Sequence, residues 1–543
     1  MVEMDDEVVE KKHFIRDLSG KISGTINGHY TKLENFISKV KHPLLILLII
    51  GIIIRVVLIP FTMNADLRYW GWIVNIIDND LGLYTTEGYY YTPVWGYVLA
   101  ISTFLGKLVG ITNYGALVDA FVPYMSEYYT IYDYVMTIGF AFVVKLPLYT
   151  TDIVIGLLIH RFVFAITKDR TKAVIAFALW FFCPLVLTET GIHAMIDNMS
   201  ALFLLLTVML AYDRRYFCAG VSFTFAMMVK IFPACFIFLL VIWVFKKEGW
   251  NYNGLKMNAI AVLGAIAGWI VLNIPSILSN NIWETVRFLT DRLGTTAEVM
   301  NNILPLSRVV MILVALFLMV GLTLYLLRNR IHDIKQHISS MDPDKRERIA
   351  FRVFIAITAL MVLAVLVYTA VKSLMSGGII QISTVRIRMM GAMVSITLSM
   401  FIAYRFTFKD DSDDKALFTA LMLTSAFLFI WMPLPQYPVT IIPMMVLFIV
   451  MVDRRYLVPF IMFATCMSLY ELAMGGITAL FSVASFTDLL SMDLMLDMLD
   501  FYIAGDIIAP YQLFTGMFGA IAYISLIYLP IKWLRENNWG RIR

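Results

Sequence analysis

The run PLLILLIIGIIIRVVLIPFTM, from Pro43 to Met63, decides the class of fold. Its only charged residue is Arg55, and it is long enough to cross the hydrocarbon core of a membrane, which takes about 20 residues as a helix. Apolar runs of comparable length recur towards the C-terminus, so the 543-residue chain is 60% hydrophobic and 15% charged. A soluble protein carries about a quarter charged residues. The sequence therefore predicts an all-α, polytopic transmembrane protein.

The distribution of basic residues predicts how the spans are oriented. Lysine and arginine are enriched in loops on the cytoplasmic side of a membrane. Placing the basic clusters on that side divides the apolar runs into about 13–15 spans and puts both termini in the cytoplasm. Some spans, such as 199–212, are short. Short spans are tolerated where their outer ends line a cavity recessed into the bilayer.

The sequence predicts three regions. They are 1–42, a cytoplasmic N-terminal tail; 43–276, a transmembrane core with the outer loop 64–92; and 277–543, a C-terminal transmembrane region with the outer loops 277–305 and 477–511. Two interpretations stay open for 93–132. Either 93–110 re-enters the membrane without crossing it, or 111–132 crosses back as a tyrosine-rich span.

The sequence lacks the motifs of several common sites. The four cysteines lie inside apolar runs, without the paired spacing of zinc sites or disulfide frameworks. There is no glycine-rich loop of the GxxxxGK[ST] type to bind a nucleotide. No nucleic-acid partner is expected.

The stretch NADLRYWGW, from Asn64 to Trp72, follows the first span directly. It combines Asp66 and Arg68 with tyrosine and tryptophan, whose amphipathic rings favour the membrane–water interface. An acid, a base and a belt of aromatic rings at the mouth of a span suit chemistry at a membrane surface. The alternative is an ordinary interfacial loop with a solvated Asp66.

Further polar residues fall in short segments at the predicted outer face. They are Tyr91 in YYYTP, Glu189, His193, Asp197 and Asn198 around GIHAMIDN, Lys230 in VKIFP, and Gln436 and Tyr437 in PQYP. Ionisable groups at membrane depth usually face a cavity or a partner. Each also has a structural interpretation: Lys230 can extend to the lipid headgroups, Asp197 can cap a helix, and His193 and Gln436 can be ordinary loop residues.

Three charged residues, Arg55, Lys145 and Asp152, lie inside predicted spans. Arg55 is near the middle of the first span, where it needs an anion, either Asp152 or a lipid phosphate. We expect all three to be buried charges with structural roles.

Taken in order, these features resemble a known family. The order begins with a span that contains Arg55, followed by Asp66 just outside it and by Tyr-x-Tyr-Thr-Pro. Lys145 and Asp152 come next, in one span. They are followed by Trp-Phe-Phe-Cys-Pro from Trp180, the Asp197 loop, Arg214-Arg215 and Val-Lys230-Ile-Phe-Pro. It resembles the GT-C superfamily of polyprenyl-phosphate-sugar-dependent glycosyltransferases. Within that superfamily it is most similar to the first mannosyltransferase of glycosylphosphatidylinositol synthesis and to related prokaryotic mannosyltransferases. The resemblance covers roughly residues 43–250 and rests on the ordered set.

The resemblance implies a GT-C-like catalytic core at 43–276 with its site on the extracytoplasmic face. Asp66 matches the first acid of the family's first-loop motif and would act as the general base. Arg68 and Lys230 would bind the donor phosphate. The residues implied to contact substrate are Tyr91, His193, Asp197, Asn198, Gln436 and Tyr437.

One departure from the family concerns metal. The family motif is Asp-x-Asp, whereas this chain has Asp66-Leu67-Arg68, so a cation replaces the second acid. A cation can stabilise a phosphate leaving group directly. We therefore expect no obligatory metal or other cofactor, with a divalent metal as the disfavoured alternative.

The function that fits best is transfer of a hexose, with mannose favoured, from a polyprenyl or dolichyl phosphate to a lipid or lipid-linked acceptor. The alternative is a transporter or flippase of a lipid-linked sugar, which would share the buried charges. A third hypothesis, within the same superfamily, is a ligase that transfers a sugar to protein or polymer.

Overall fold

The computed structural model of this chain describes residues 28, 31–32, 34–79, 83–84, 89, 91–123, 130–279, 282–286, 311, 314, 322, 330–375, 384–408, 414–429, 436–495, 497–498 and 508–536. Most of the predicted N-terminal tail and most of the predicted outer loop 277–305 lie outside these residues. The structure therefore does not test the predictions for those two segments.

The first half of the chain is a series of helices joined mostly by short turns. Their bounds are α1 Pro43–Val57, α2 Asn64–Asp78, α3 Pro93–Leu108, α4 Ile138–Thr167, α5 Arg170–Phe181, α6 Pro184–Gly191, α7 Asp197–Tyr212, α8 Tyr216–Val229, α9 Ile237–Glu248 and α10 Tyr252–Leu278. Between α3 and α4, strand β1 (Gly115–Pro123) pairs with β2 (Thr130–Met136) as an antiparallel hairpin. A single 3₁₀ turn, Phe232–Phe236, connects α8 to α9.

The second half is also helical. Its helices are α11 Ile331–Ser340, α12 Pro343–Met375, α13 Thr384–Thr407, α14 Asp414–Phe429, α15 Ile442–Met451, α16 Leu457–Gly475, α17 Phe481–Phe486 and α18 Ile508–Glu536. Short 3₁₀ segments occupy Ile282–Val286, Tyr437–Ile441, Arg454–Tyr456 and Gly476–Leu480.

Five helices of the described residues are long and apolar enough to cross a membrane: Ile138–Thr167, Tyr252–Leu278, Pro343–Val367, Met390–Thr407 and Arg454–Ala473. Helices α5 and α6 form a pair bent by 46°, which would make a sixth span. The predicted helical membrane fold is confirmed at this level, and the helices are compatible with a multi-pass membrane protein. Shorter apolar helices, including α1, α7 and α8, fall below the length of about 20 residues that a full span takes.

The segment 64–132 contains a helix and a hairpin. Its first part, 64–78, is a helix within the predicted outer loop. The hypothesis that 111–132 is a tyrosine-rich span is wrong, because this segment enters the β1–β2 hairpin. The β-branched and aromatic residues that make it apolar also favour strands. An open two-stranded sheet has unpaired backbone edges, which the hydrocarbon core cannot satisfy.

Helix α4 contributes buried residues next to the site and packs against α5 and α7. It begins after Thr137, whose hydroxyl accepts a hydrogen bond of 3.1 Å from the backbone N–H of Phe140 and so caps the helix. Lys145 and Asp152 are seven residues apart, about two helical turns, and both are buried. Helix α4 therefore presents two ionisable side chains to the interior on one face.

Candidate functional site

Lys145 ties the end of the first helix to α4. Its Nζ atom donates to the backbone carbonyls of Leu58, Ile59 and Phe61 at 2.8, 3.0 and 3.0 Å. The last carbonyls of a helix have no partner within the helix, and a lysine charge there also complements the helix dipole. Lys145 therefore fixes the chain that leads from α1 to Asp66, and this is a structural role.

Arg55 of α1 and Asp152 of α4 form a fully buried ion pair. The Nη2 and Nε atoms of Arg55 lie 3.0 and 3.1 Å from Oδ2 of Asp152, and its guanidinium lies 3.9 Å above the centre of the Phe181 ring. Asp152 also accepts hydrogen bonds from Thr190, at 2.8 Å, and from the side-chain amide of Asn198, at 2.9 Å. Asp152 is thus the anion that Arg55 requires, and the network joins α1, α4, α6 and α7.

His193 lies at the centre of a cluster of carboxylates. Its Nε2 atom contacts the carboxylate of Asp66, while its Nδ1 atom lies 2.9 Å from both Glu189 Oε2 and Glu471 Oε1. Burial lowers the pKa of His193, but the carboxylates of Glu189, Asp66 and Glu471 outweigh burial and raise that pKa well above its usual value. His193 therefore links an acid of α2 to acids of α6 and α16.

Helix α2 brings Asp66 to His193 through backbone and tryptophan contacts. The N–H of Met63 donates to the carbonyl of Ile192 at 3.0 Å, and the indole N–H of Trp70 donates to the carbonyl of Ala194 at 3.2 Å. The Asp66 side chain keeps 26% of its surface exposed, against 8% for His193. A substrate can therefore reach Asp66 from the outside, while His193 supports it from within.

Arg68 faces a different part of the molecule. Residues two apart on an α-helix point about 200° apart, so Asp66 and Arg68 leave α2 on different faces. Arg68 lines a cavity of about 690 Å³ together with Tyr69, Trp72, Tyr114 and others. The arginine therefore contributes its charge to this cavity, whose lining does not include His193 or its carboxylates.

Lys230 follows the last residue of α8 and has an extended backbone (φ −145°, ψ 138°). Pro233, three residues later, stands in a 3₁₀ turn, since proline cannot donate the backbone hydrogen bond that a continuing helix needs. The Nζ atom of Lys230 lies 3.4 Å from Oδ2 of Asp197. It also lies 4.9 and 5.3 Å from the ring centres of Tyr437 and Tyr91. Because the helix breaks here, the ammonium group of Lys230 lies next to the rings of Tyr91 and Tyr437.

Asp197 is the first residue of α7 and makes no side-chain hydrogen bond that caps it. Its carboxylate is fully buried. The distance of 3.4 Å to Lys230 exceeds the roughly 2.7–2.9 Å of a tight charge-assisted hydrogen bond. A lysine has three N–H donors, so this pair leaves Lys230 with capacity for another anion.

Tyr91 lies close enough to Asp66 and to Lys230 for both charges to act on it. Burial raises the pKa of its hydroxyl, Lys230 lowers that pKa, and Asp197 and Asp66 raise it. Its ring also packs against Trp70, with centroids 5.4 Å apart. The charges of Asp66 and Lys230 therefore both act on one tyrosine hydroxyl.

The remaining predicted substrate contacts divide into two groups. Tyr437 packs on Phe232 with ring centroids 4.6 Å apart and belongs with Lys230, and Gln436 precedes it at the start of the 3₁₀ turn. Asn198 instead donates to Asp152 and to the carbonyl of Leu148. Its amide therefore supports the Arg55–Asp152 pair inside the bundle.

Glu471 was missed at the level of the sequence. It lies in the apolar run of α16, and nothing in its neighbours indicates a partner. Glu471 is a lone acid inside a predicted span. Such an acid usually has a function or a charged partner, and this was the one feature of the sequence that could have identified it. Its partner His193 lies in the other half of the chain, a pairing that one sequence does not reveal.

Comparison with family models, with curated proteins and with solved structures returned no match to this chain.

Proposed function

We propose that this protein is an integral-membrane glycosyltransferase. It transfers a hexose, with mannose favoured, from a polyprenyl or dolichyl phosphate to a hydroxyl group of a lipid or lipid-linked acceptor. In this proposal the site faces the extracytoplasmic side, both termini are cytoplasmic, and the fold is GT-C-like with about 13–15 spans.

The observation that carries the proposal is the placing of Asp66 and Lys230 around Tyr91. Asp66 is a carboxylate that is accessible on one side and oriented by a buried imidazole on the other. Lys230 is a buried cation next to aromatic rings. Glycosyl transfer needs a base at the attacking hydroxyl and positive charge at the leaving phosphate, and these two residues supply both.

In the proposed step, the acceptor hydroxyl gives its proton to Asp66 while its oxygen bonds to the anomeric carbon of the sugar. The bond between that carbon and the donor phosphate oxygen breaks, and its electron pair stays with the polyprenyl phosphate. Lys230 binds the charge that develops on this phosphate. Inversion at the anomeric carbon is what the family resemblance implies.

The small exposure of Lys230, 10% of its side chain, strengthens this role. A preorganised charge in a water-excluded site stabilises a developing charge more than the same group does in water. Burial lowers the pKa of Lys230, but Asp197 and the neighbouring tyrosines outweigh burial and raise that pKa above its usual value. Asp197 thus keeps Lys230 charged before the donor arrives. The phosphate then competes with Asp197 for the same ammonium group.

Arg68 and the cavity beside α2 provide a place for a charged headgroup. The cavity of about 690 Å³ carries aromatic rings next to Arg68, a combination suited to a sugar and its phosphate. We assign Arg68 to electrostatic attraction of the donor phosphate from this side. Tyr437 lies next to Lys230, and Gln436 precedes it in the chain.

A lipid-linked-sugar transporter or flippase is the second candidate, and the cluster of ionisable groups around His193 favours it. Asp66, Glu189 and Glu471 all contact His193, and acids and histidines in contact mark proton relays in transporters. Such a protein would move the lipid across the bilayer without breaking the glycosidic bond.

One experiment separates the two functions. The purified protein is reconstituted in liposomes with a polyprenyl-phosphate-[³H]mannose donor and a lipid extract. An enzyme yields a new labelled lipid, and Asp66→Asn abolishes it while Asp78→Asn, on the same helix, does not. Movement of intact donor between leaflets without a labelled product would instead favour the transporter.

A further inference from the structure

Three carboxylates surround a single imidazole. Asp66 contacts Nε2 of His193, and both Glu189 and Glu471 lie 2.9 Å from its Nδ1. An imidazole has at most two N–H donors, one on each nitrogen. Nδ1 therefore cannot give a full hydrogen bond to both glutamates. One imidazole therefore faces three carboxyl groups, whether or not His193 is protonated.

Within the described part of the chain, one oxygen of Glu189 lacks a partner, whatever the number of N–H donors on His193. The Glu189 side chain is fully buried, and its other oxygen, Oε1, has no hydrogen-bond partner among the described residues. A buried carboxylate oxygen without a partner is costly, because burial removes its water and nothing replaces it. This oxygen belongs to the same carboxylate that faces Nδ1, so a missing positive group is indicated at the cluster.

We infer that Glu189, His193 and Glu471 bind one divalent transition-metal ion, through the two carboxylates and Nδ1. The ligand atoms of the three residues all lie within 4.8 Å of one another. Zinc binds imidazole nitrogen and carboxylate oxygen at about 2.0–2.2 Å, which places tetrahedral ligands about 3.4 Å apart. The observed separations of 2.9 Å need only a small outward movement.

The donor set selects the class of metal. Imidazole suits zinc, iron and nickel, whereas all-oxygen sites suit magnesium and calcium. One imidazole with two carboxylates therefore favours Zn²⁺, with Mn²⁺ as the weaker candidate. When the metal binds, the proton on Nδ1 leaves, and the charge of the ion offsets both glutamates.

Asp66 then has a defined place beside the metal. A histidine that binds a metal through one ring nitrogen usually donates its other N–H to a carboxylate, which fixes the orientation of the ring. The contact of Nε2 with Asp66 has this arrangement. His193 is therefore a positioning residue for Asp66, and the ion itself lies on the far side of the ring.

The ion would also join two parts of the chain. Glu189 belongs to α6 and Glu471 to α16, and these helices already meet where the Thr188 and Ser468 hydroxyls lie 2.5 Å apart. A ligand that binds only the folded protein stabilises it by mass action. Metal binding is thus expected to raise thermal stability, whether or not the protein transfers sugar.

The test uses the full-length protein, stripped with a chelator and then titrated with Zn²⁺, Mn²⁺ or Mg²⁺. Metal content after dialysis should be about one zinc per chain, and the unfolding temperature should rise by several degrees with Zn²⁺ and not with Mg²⁺. Glu471→Gln should lose the bound zinc and the shift. The matched control Glu248→Gln, whose carboxylate pairs with Tyr216 at 2.7 Å elsewhere, should keep both.

A stability comparison and a spectroscopic readout keep the test decisive. Without metal, Glu471→Gln should unfold at or above the temperature of the wild type, because it removes an unmatched buried charge. If that variant does not fold, Co²⁺ binding to the wild type is measured instead, with visible d–d absorption expected that Zn²⁺ displaces. The inference is overturned if the wild type retains no zinc, shows no shift in unfolding temperature and gives no cobalt spectrum. It is also overturned if Glu471→Gln binds as much zinc as the wild type. Loss of glycosyl transfer alone bears only on the proposed function.

Discussion

The ammonium nitrogen of Lys230 lies 3.4 Å from the carboxylate of Asp197, and Asp197 is fully buried beside it. Removing Lys230 alone leaves an uncompensated buried charge, which costs about 3–5 kcal/mol. The double variant Lys230→Met/Asp197→Asn avoids this. We expect it to fold and to lose about 10²-fold in kcat/KM for the donor, because the leaving phosphate has lost its cation.

The control for this prediction is an exposed pair of the same type. Lys107 lies 2.7 Å from Asp78, and Lys107→Met/Asp78→Asn should leave donor kinetics within about twofold of the wild type, as expected for a surface pair. Normal donor kinetics in the Lys230 double variant would exclude Lys230 from phosphate binding.

Asp66→Asn tests the proposed base. The substitution keeps the size of the side chain and its contact with His193 but removes proton acceptance, so turnover should fall about 10²-fold or more. Initial rates at saturating donor and acceptor measure the effect, with Asp78→Asn as the control. A near-normal rate in the Asp66→Asn variant, with normal expression, would end the assignment.

Arg55 is predicted to matter for stability rather than for chemistry. Arg55→Met should destabilise the protein by about 3–5 kcal/mol, because Asp152 would stay buried without its cation. Arg55→Met/Asp152→Asn should recover part of this loss. Thermal unfolding in detergent measures the stability of both variants. The control Lys172→Met removes one partner of the exposed Lys172–Asp169 pair and should lower the free energy of unfolding by less than about 1 kcal/mol.

Transfer is predicted to continue without a metal at the donor phosphate. Chelation, tested below the unfolding temperature of the metal-free protein, should leave most of the activity, because Lys230 rather than an ion binds the leaving phosphate. Loss of activity with chelator and its return with Mg²⁺ or Mn²⁺ would contradict this. The helix also separates Arg68 from Asp66, so Arg68→Asp should not create a requirement for Mg²⁺.

The exposed acids of 493–497 serve as a control for the whole site. Asp493 and Asp497 are both exposed, so Asp493→Asn/Asp497→Asn should keep most of the activity and all of the bound zinc. A large loss of activity with normal expression would place a substrate contact in this part of the chain.

The sequence was informative where hydropathy or proline determines local structure. The run from Pro43 to Met63 predicted an apolar helix, which the structure confirms over Pro43–Val57. Pro233 predicted the break at Lys230, since both effects depend on neighbouring residues alone. The hairpin at 115–136 was not predicted, because tyrosine and valine serve apolar spans and strands equally well. Glu471 was not predicted as a partner of His193, because their contact depends on how two distant helices pack.

The contact of Lys145 with the end of α1 has a consequence for the surrounding lipid. Residues such as Ile49, Ile53 and Val56 are exposed on one flank of α1. In the proposed membrane protein this flank would face lipid, and a helix in lipid adapts to bilayer thickness by tilting. Lys145 and Arg55 hold the C-terminal end of α1 to α4, so any tilt is taken up at the N-terminal end. The segment carrying Asp66 then keeps its position when acyl chains lengthen or shorten, and membranes of different thickness would leave its approach to the substrate unchanged.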